Sequence, residues 1–325
     1  MISNIKTIVS DRFDPYYNLA LEEYLTFSVG DEECILYLWQ NKNTVVIGKN
    51  QNAYRECNVT KLENDGGHLA RRLSGGGAVY HDDGNLNFTF CVRKHNYDVI
   101  RQLNVILRAV RSFGINAEKT GRNDIAIDGK KFSGNAYYDS NDYAYHHGCI
   151  MVNANTGKLA DFLNVSEEKL KSKGVTSVKS RVVNLSELNP EVTVDTLKKA
   201  ILKAFEEEYA LKAAEIKLNA KDKAAVDELY HKYSDDEWLF GRFISFTHTF
   251  AHRFSFGELE AHLNINNGKI KSAQIHTDAM DIHLAEHVEK LLTGLSYRQS
   301  EVRAAADETK DEIDREILLY LCEII

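Results

Sequence analysis

Helical spacing of apolar residues predicts three helices in the first two thirds of the chain, over 15–28, 97–113 and 193–209. In each segment apolar side chains recur three or four positions apart, which gives the helix one face to bury. Asp14 and Thr193 precede two of these segments, and both residue types cap helix N-termini. These helices are therefore predicted with defined start points.

Short runs of apolar, β-branched or aromatic residues predict the strands. Residues 34–39 and 44–48 are two such runs joined by the polar link 40–43, and this arrangement favours a hairpin. The further strand candidates are 68–73, 78–81, 86–92, 125–127, 131–137 and 146–152.

The last third of the chain has a different pattern. Residues 211–237 are charged and weakly apolar, which is typical of a connecting helical stretch near a domain boundary. Residues 244–276 alternate as strands do, with a turn at 266–268. Two closing helices are predicted at 281–292 and 307–324.

Together these elements predict an α+β protein. Residues 1–243 would form a large domain of mixed and antiparallel sheets packed with helices, and 244–325 a small α+β accessory domain. With 325 residues the chain is long enough to bury a sizeable core.

Charge and cysteine content narrow the functional classes. The net charge of −8 and the pI near 5.9 argue against a nucleic-acid partner. Five scattered cysteines without a C-x-x-C pair favour reduced thiols in a cytoplasmic protein over a disulfide frame or zinc ribbon.

The first 15 residues lack a long apolar segment, so we expect no signal peptide, and the absence of an 18-residue apolar run predicts no membrane span. We expect a monomer.

The segment 71–88, RRLSGGGAVYHDDGNLNF, is the first candidate site. Three consecutive glycines let a ligand approach the backbone, and successive N–H groups in such a loop can bind an anion. The two preceding arginines suit a phosphate or a carboxylate. The segment contains neither G-x-x-x-x-G-K-[ST] nor G-x-G-x-x-G, so the usual phosphate-binding families are disfavoured. A tight hairpin with exposed arginines is the alternative.

The segment 121–138, GRNDIAIDGKKFSGNAYY, is the second candidate site. Asp124 can hold Mg²⁺ through oxygen, and Lys131 beside Gly134 can stabilise charge on a phosphoryl or carboxyl oxygen. An edge hairpin with surface lysines is the alternative, since lysines are usually exposed.

These two segments, with YHHGCIMVNAN, KGVTSVKSRVVNLSEL, NLALEEY and LYLWQNKNTVVIGKNQN, resemble the signature blocks of lipoate–protein ligases, within the wider biotin and lipoate ligase superfamily. The resemblance covers about residues 10–210 in order and extends into a C-terminal accessory domain like that of full-length bacterial ligases. Several blocks in the right order are more specific than any one of them. Tyr138 departs from the more polar residue expected there in some relatives.

The resemblance implies a role for each matching residue. Lys131 would contact the lipoate carboxylate and then the adenylate, and Asn123 and Asp124 would serve ATP and Mg²⁺. Trp39 would line the pocket or pack in the core. The remaining implied binding residues are Arg72, Ser74, Gly75, Gly76, Gly77, His81, Ser133, Ala136 and His147, with Lys179 and Arg181 in a loop at 169–185 that orders over the intermediate.

The resemblance also implies a reaction. Lipoate would attack ATP to give lipoyl-AMP, and a lysine of an apo lipoyl domain from a 2-oxoacid dehydrogenase complex, or of a glycine-cleavage H protein, would then take the acyl group. The base that deprotonates this lysine stays open: Asp124 and the adenylate phosphate are the candidates, and desolvation in a closed site is the alternative to both.

Other functions are compatible with parts of this sequence. An ATP-independent octanoyl or lipoyl acyltransferase would use Cys149, activated by His146 or His147. A biotin ligase fits the SGGGAVYHDDGN block less well. Residues 283–287 match the H-x-x-E-H zinc pattern, which short motifs do by chance. A non-catalytic lipoate-binding or scaffold protein would be expected to lack Lys131 or Asp124, and both are present.

Overall fold

The computed structural model describes residues 1–120, 124–164, 182–241 and 245–325. The chain divides into two compact units. The first unit contains Met1–Ile47, Ala53–Arg72 and Val79–Leu239, and the second contains Gly48–Asn52, Leu73–Ala78 and Phe240–Ile325. The second unit thus combines the C-terminal residues with two short segments from early in the chain.

The strands of the first unit are β1 (Asn4–Val9), β2 (Glu33–Trp39), β3 (Thr44–Ile47), β4 (His68–Arg71), β5 (Val79–His81), β6 (Asn85–Arg93), β7 (Glu118–Thr120), β8 (Asp124–Ile127), β9 (Lys130–Asp139), β10 (Tyr143–Met151) and β11 (Ala213–Glu215). In the described part of the chain, an eight-stranded sheet has the order β11-β1-β2-β6-β10-β9-β8-β7, and a three-stranded sheet has the order β4-β3-β5. In the eight-stranded sheet, β1 pairs in parallel with β2 and β11, and the other neighbouring strands pair antiparallel.

The predicted hairpin over 34–48 is wrong. Strand β2 pairs with β1 and β6, whereas β3 pairs with β4 and β5 in the other sheet. The link between the two strands is held by Asn18, whose Nδ2 donates to the carbonyl of Gln40 at 2.8 Å and to Oδ1 of Asn41 at 3.0 Å. Because this buried side chain provides hydrogen bonds to polar groups of the link, the chain can pass from one sheet to the other without closing a turn.

The helices of the first unit are α1 (Pro15–Ser28), α2 (Ala53–Glu56), α3 (Val59–Asn64), α4 (Val99–Arg111), α5 (Thr156–Phe162), α6 (Leu185–Leu188), α7 (Val194–Tyr209), α8 (Ala220–Tyr233) and α9 (Asp236–Phe240), whose last residue is counted with the second unit. The three predicted helices are confirmed as α1, α4 and α7. Both predicted caps are confirmed: Asp14 accepts from the Tyr16 N–H at 2.9 Å, and Thr193 accepts from the Thr196 N–H at 3.1 Å.

The main core lies on one face of the eight-stranded sheet. Apolar side chains of α4 and α7 pack there against alternate residues of the central strands, including Leu36, Phe88, Phe90 and Ile150. Each large side chain buried in this way contributes about 1.5–3 kcal/mol to stability. The opposite face of the same strands carries a different set of residues, and the candidate site lies on it.

The second unit is also α+β. Its strands β12 (His248–Phe254), β13 (Gly257–Asn266) and β14 (Lys269–Thr277) form an antiparallel sheet. Asn267 and Gly268 have positive φ angles of 51° and 69°, which confirms the predicted turn. The helices α10 (Leu284–Leu292) and α12 (Glu312–Ile324) confirm the two predicted ones.

Helix α11 (Gln299–Glu308) was not predicted. It buries only Val302 and Ala306, so its apolar stripe is too short for the periodicity to show. The mixed α+β class, with a sheet-rich large domain and a small C-terminal domain, is confirmed. Within the described ranges, no helix combines the length and apolarity that crossing a membrane requires.

Candidate active site

One row of directly paired residues crosses five strands of the first unit's large sheet. The row runs Trp39, Asn87, Cys149, Gly134 and Asp124. Directly paired residues present their side chains on the same face of a sheet. The row therefore places an indole, an amide, a thiol and a carboxylate side by side on the face opposite the main core.

Lys131 completes one end of this row. Its Nζ lies 2.7 Å from Oδ1 of Asp124, and a Cβ added to Gly134 would stand 2.7 Å from the same Nζ. The glycine thus leaves the room that the lysine side chain occupies, which is a physical reason for the K-x-S-G pattern. The Lys131 carbonyl accepts from the Val183 N–H at 3.0 Å, so the chain is tied to β9 just beyond residue 181.

A buried polar network lies on the next row, which contains Tyr37, Thr89, His147 and Ala136. Glu22 of α1 is 2% exposed and reaches down onto it. Its Oε1 accepts from Thr89 Oγ1 at 2.6 Å and lies 2.8 Å from His147 Nδ1. Thr89 in turn accepts from the indole N–H of Trp39 at 3.1 Å. Trp39 and His147 are therefore fixed by one shared network.

Aromatic rings continue this face beyond His147. The ring of Tyr145 lies 4.8 Å from the His147 ring and stacks on Tyr138 at 5.1 Å. Phe27 of α1 meets Tyr138 edge to face at 6.2 Å. From Asp124 to Phe27, the face changes from charged to polar and then to aromatic. Such a gradient suits a ligand with an anionic end and an apolar end.

His81 packs beside this face from β5. Its ring meets Trp39 at 6.2 Å, and its Nδ1 lies 3.3 Å from Nδ2 of Asn41. Burial, together with the nearby charges of Arg72 and His147, lowers the pKa of His81 to about 3. His81 is therefore a neutral imidazole at physiological pH and offers no positive charge to a bound anion.

The two arginines before the glycines are buried, so the alternative of a hairpin with exposed arginines is wrong. Arg71 donates to the carbonyls of Trp238 and Leu239 at 2.6–3.0 Å, which fixes helix α9. Arg72 is 5% exposed and donates to the carbonyl of Val46 at 3.2 Å. Burial lowers the pKa of both guanidinium groups to about 10, and both stay charged at neutral pH.

The glycine loop itself belongs to the second unit. The Gly76 N–H donates to the carbonyl of Ala279 at 2.9 Å, and the carbonyl of Ser74 accepts from the Lys49 N–H at 3.0 Å. A Cβ on Gly75 would stand 2.5 Å from the carbonyl oxygens of Ala279 and Met280. Gly76 has a φ of +89°, and Gly77 follows it. The loop is thus seated by backbone contacts that leave no space for side chains at Gly75.

The structure does not bring every predicted residue to the polar face. Ser133 pairs with the core residues Ile125 and Ile150, so its hydroxyl lies on the opposite face from Gly134. A β-bulge at Phe132 of β9, where Ile125 pairs with Ser133 and Ala126 with Lys131, brings Lys131 to the face of Asp124 and Gly134. The remaining predicted residues, Asn123, Lys179 and Arg181, lie outside the described residues.

Cys149 lies in the middle of the row but is not activated as a nucleophile. Burial raises the pKa of its thiol to about 12, and Asn85 Nδ2 contacts its sulfur at 3.2 Å. His146, one of the proposed activating residues, lies on the core face, where its ring stacks on Phe90. A thiol needs a lowered pKa to act as a nucleophile at neutral pH.

The H-x-x-E-H segment gives no metal cluster. His287 bonds through Nε2 to Oδ1 of Asp314 at 2.7 Å, and His283 stands at the cap of α10. Over residues 1–120, 124–164, 182–241 and 245–325, no three His, Cys, Asp or Glu side chains are placed to hold a metal ion.

Sequence reasoning missed Glu22, Thr89 and Asn87. Glu22 carried a usable signal, because it stands three residues from both Leu19 and Leu25 on the buried face of an amphipathic helix. A carboxylate at such a position needs a partner. Asn87 lies inside the segment 71–88 and Thr89 just beyond it, but only strand pairing places them beside Trp39 and His147.

Comparison with known proteins places the chain in a family. The sequence model of the lipoyl protein ligase A/B catalytic domain matches residues 14–206, and that of the bacterial lipoate protein ligase C-terminus matches residues 244–321. The chain is similar to P. falciparum LipL1, solved in complex with lipoate, at 29% identity and a TM-score of 0.84, covering 98% of this chain and 100% of that one.

Two further solved structures are similar over 74% of this chain. A bipartite lipoate protein ligase from Thermoplasma acidophilum, studied with its E2 lipoyl domain, has 27% identity, a TM-score of 0.67 and 98% of its own chain covered. A lipoate-protein ligase A bound with ATP has 26% identity, a TM-score of 0.64 and 99% covered. The family model spans more than half of the chain, and this chain therefore belongs to the lipoate–protein ligase family.

Proposed function

We propose that this protein ligates free lipoate to a lysine of an apo lipoyl domain or H protein, through a lipoyl-AMP intermediate formed from ATP. The observation that carries the proposal is the Lys131 ammonium, seated over Gly134 and paired with Asp124 at the charged end of the polar face. A fixed cation at this point serves a substrate carboxylate and then the phosphate ester made from it.

In the first step a lipoate oxygen attacks the α-phosphorus of ATP, and the bond to the β-phosphate breaks to release pyrophosphate. Lys131 stabilises the negative charge on the reacting oxygens. Its side chain is 27% exposed, so the ammonium is held in place yet open to substrate. Most of the catalysis comes from positioning and electrostatics, as is general for phosphoryl chemistry.

The acyl tail lies along the neighbouring rows. His147 and Trp39 flank it, and the aromatic rings of Tyr145 and Tyr138 receive the apolar dithiolane end. The Glu22 carboxylate keeps the His147 ring in one orientation. Tyr138 provides ring stacking where some relatives are expected to carry a more polar group.

Mg²⁺ fits this site through Asp124. Magnesium usually binds one or two protein carboxylates together with substrate phosphates, and Asp124 supplies such a carboxylate beside Lys131. When bound, the ion neutralises phosphate charge. Asp124 also orients the Lys131 side chain, so it contributes to substrate binding in either case.

The first experiment measures pyrophosphate release from ATP on adding lipoate, with and without an apo lipoyl domain. Lys131→Ala should lower lipoate-dependent release about 10²–10³-fold while the protein stays folded. Lys130→Ala is the matched control, because Lys130 is an exposed lysine on the same strand. Near-normal release from a folded Lys131→Ala protein would remove this lysine from the mechanism.

The same experiment tests the ATP-independent acyltransferase. Transfer of an octanoyl or lipoyl group between carrier proteins without ATP, together with no pyrophosphate release, would favour it. The raised pKa of the Cys149 thiol argues against that mechanism. A Cys149→Ala variant is expected to keep full ATP-dependent activity.

A further inference from the structure

Asn87 is a buried amide with no visible structural role. It is 1% exposed, and neither its Nδ2 nor its Oδ1 has a hydrogen-bond partner among the described residues. Its neighbours on the same face of β6 are both satisfied: Thr89 bonds to Glu22 and Trp39, and Asn85 bonds to the Asp82 N–H and Cys149. Buried polar groups are nearly always paired, so this exception needs an explanation.

The position of Asn87 explains why its amide is left unpaired. It stands in the row between Trp39 and Cys149, and Gly134 is the next residue beyond Cys149. Strands lie about 4.7–4.9 Å apart, so Asn87 and Gly134 sit on strands about 10 Å apart. The Lys131 ammonium lies over Gly134. A carboxyl group held by Lys131 above Cys149 is therefore within reach of the Asn87 amide.

We infer that Asn87 is a catalytic residue whose Nδ2–H donates to the acyl oxygen of the lipoyl adenylate; this rests on the proposed function. As the acceptor lysine nitrogen forms its bond to the acyl carbon, the electron pair of the C=O bond moves to that oxygen. The pair returns when the bond to AMP breaks, and the amine proton passes to the AMP phosphate. A donor fixed beside this oxygen stabilises the charge that develops on it.

Because Asn87 is enclosed, its contact with the acyl group requires a local movement. Its amide atoms are covered in this structure, so the acyl group reaches them only when adjoining side chains move aside. An unpaired amide held ready for that moment is a cost to the folded protein without substrate. Function and stability should consequently respond in opposite directions when the amide is replaced by an apolar group.

Asn87→Leu tests this. The variant should melt at the same temperature as the parent protein or higher, because it removes two unpaired polar atoms. Single-turnover transfer from preformed lipoyl adenylate to an apo lipoyl domain should slow about 100-fold. The acceptor concentration for half-maximal rate should stay unchanged, since the lost contact acts on the reacting oxygen.

Gln102→Leu is the matched control. Gln102 is a fully buried amide on α4 with both polar atoms unpartnered within the described chain, but α4 packs on the core face. Its replacement should likewise preserve stability while leaving the transfer rate unchanged. A similar loss of transfer in Gln102→Leu would show that the Asn87 effect is not local and would overturn the assignment.

The outcomes separate this inference from the proposed function. If the parent protein releases no pyrophosphate with lipoate, the ligase proposal fails before Asn87 is tested. If it does, and Asn87→Leu transfers at the parent rate, only the Asn87 assignment fails. Should Asn87→Leu not fold, Asn87→Val and Asn87→Thr form a pair of strand-compatible residues differing by one hydroxyl donor. The Thr variant is expected to transfer about tenfold faster, and equal rates would overturn the assignment.

Discussion

Thr89 and Phe90 are adjacent on one strand, yet they belong to two different environments. The Phe90 ring is fully buried among Phe88, His146 and Phe205 on the core face. The Thr89 hydroxyl lies on the other face, between the Glu22 carboxylate and the Trp39 indole. Because side chains alternate across a strand, the central strands of this sheet support the fold with one set of residues and chemistry with the other.

Removing a side chain is expected to have different effects on the two faces. On the core face, loss of a side chain leaves a cavity that close packing cannot fill. On the polar face, loss of a side chain leaves buried groups without partners. Variants on the first face should therefore change stability with little change in the chemistry of the folded protein. Variants on the second should change both, or chemistry alone.

Phe90→Ala should give the largest stability change on the core face. Removing a fully buried ring is expected to lower the free energy of unfolding by about 3–5 kcal/mol. Urea denaturation measures this, and the remaining folded protein should release pyrophosphate at close to the parent rate. Phe27→Ala is the matched control, since Phe27 is 40% exposed and should cost less than about 1 kcal/mol. An equal loss in both variants would contradict the division of the two faces.

Thr89→Val should have a smaller effect on stability and a distinct effect on substrate binding. Valine keeps the shape of threonine but leaves Trp39 and Glu22 each short of one buried hydrogen bond, at a cost of about 1–3 kcal/mol. Because Glu22 also orients His147, the KM for lipoate should rise about tenfold. Thr89→Ser keeps the hydroxyl and should restore the KM; identical values for Val and Ser would show that the hydroxyl has no part in binding.

The local features of this fold were predictable from sequence. Helix α1 begins directly after the Asp14 cap, because a capping signal acts within one turn of the chain. The hairpin prediction failed because strand partners are chosen over long sequence distances, and β2 found its neighbours in β1 and β6. Local chemistry cannot reveal such a choice.

The candidate site likewise contains residues that were predictable from sequence and residues that were not. Lys131 and Asp124 stand close together in sequence within a recognisable motif, and they form an ion pair in the structure. Asn87 lies inside the segment 71–88, but only the register of three strands places it beside Cys149 and Gly134, so the motif alone does not single it out. Ser133 lies inside the motif, but it directly precedes Gly134 on β9 and therefore points to the other face. Sequence patterns identified the blocks, and strand pairing decided which of their residues meet.

His146 extends the comparison to acid stability. Burial among aromatic rings on the core face lowers the pKa of His146 to about 3, whereas an unfolded histidine has a pKa near about 6.5. Between these values the unfolded state binds a proton that the folded state excludes, so stability falls as the pH falls. The expected contribution is about 1.4 kcal/mol per pH unit between about pH 6 and 4.

His146→Gln should make the free energy of unfolding depend less steeply on pH by this amount over that range. Urea denaturation at pH steps from 6 to 4 measures the slope, and the exposed His95→Gln provides the control that should leave it unchanged. A slope that stays at the parent value in His146→Gln would mean that this imidazole is protonated in the folded protein. In that case the core face would tolerate a buried charge, and the contrast between the two faces would rest on packing alone.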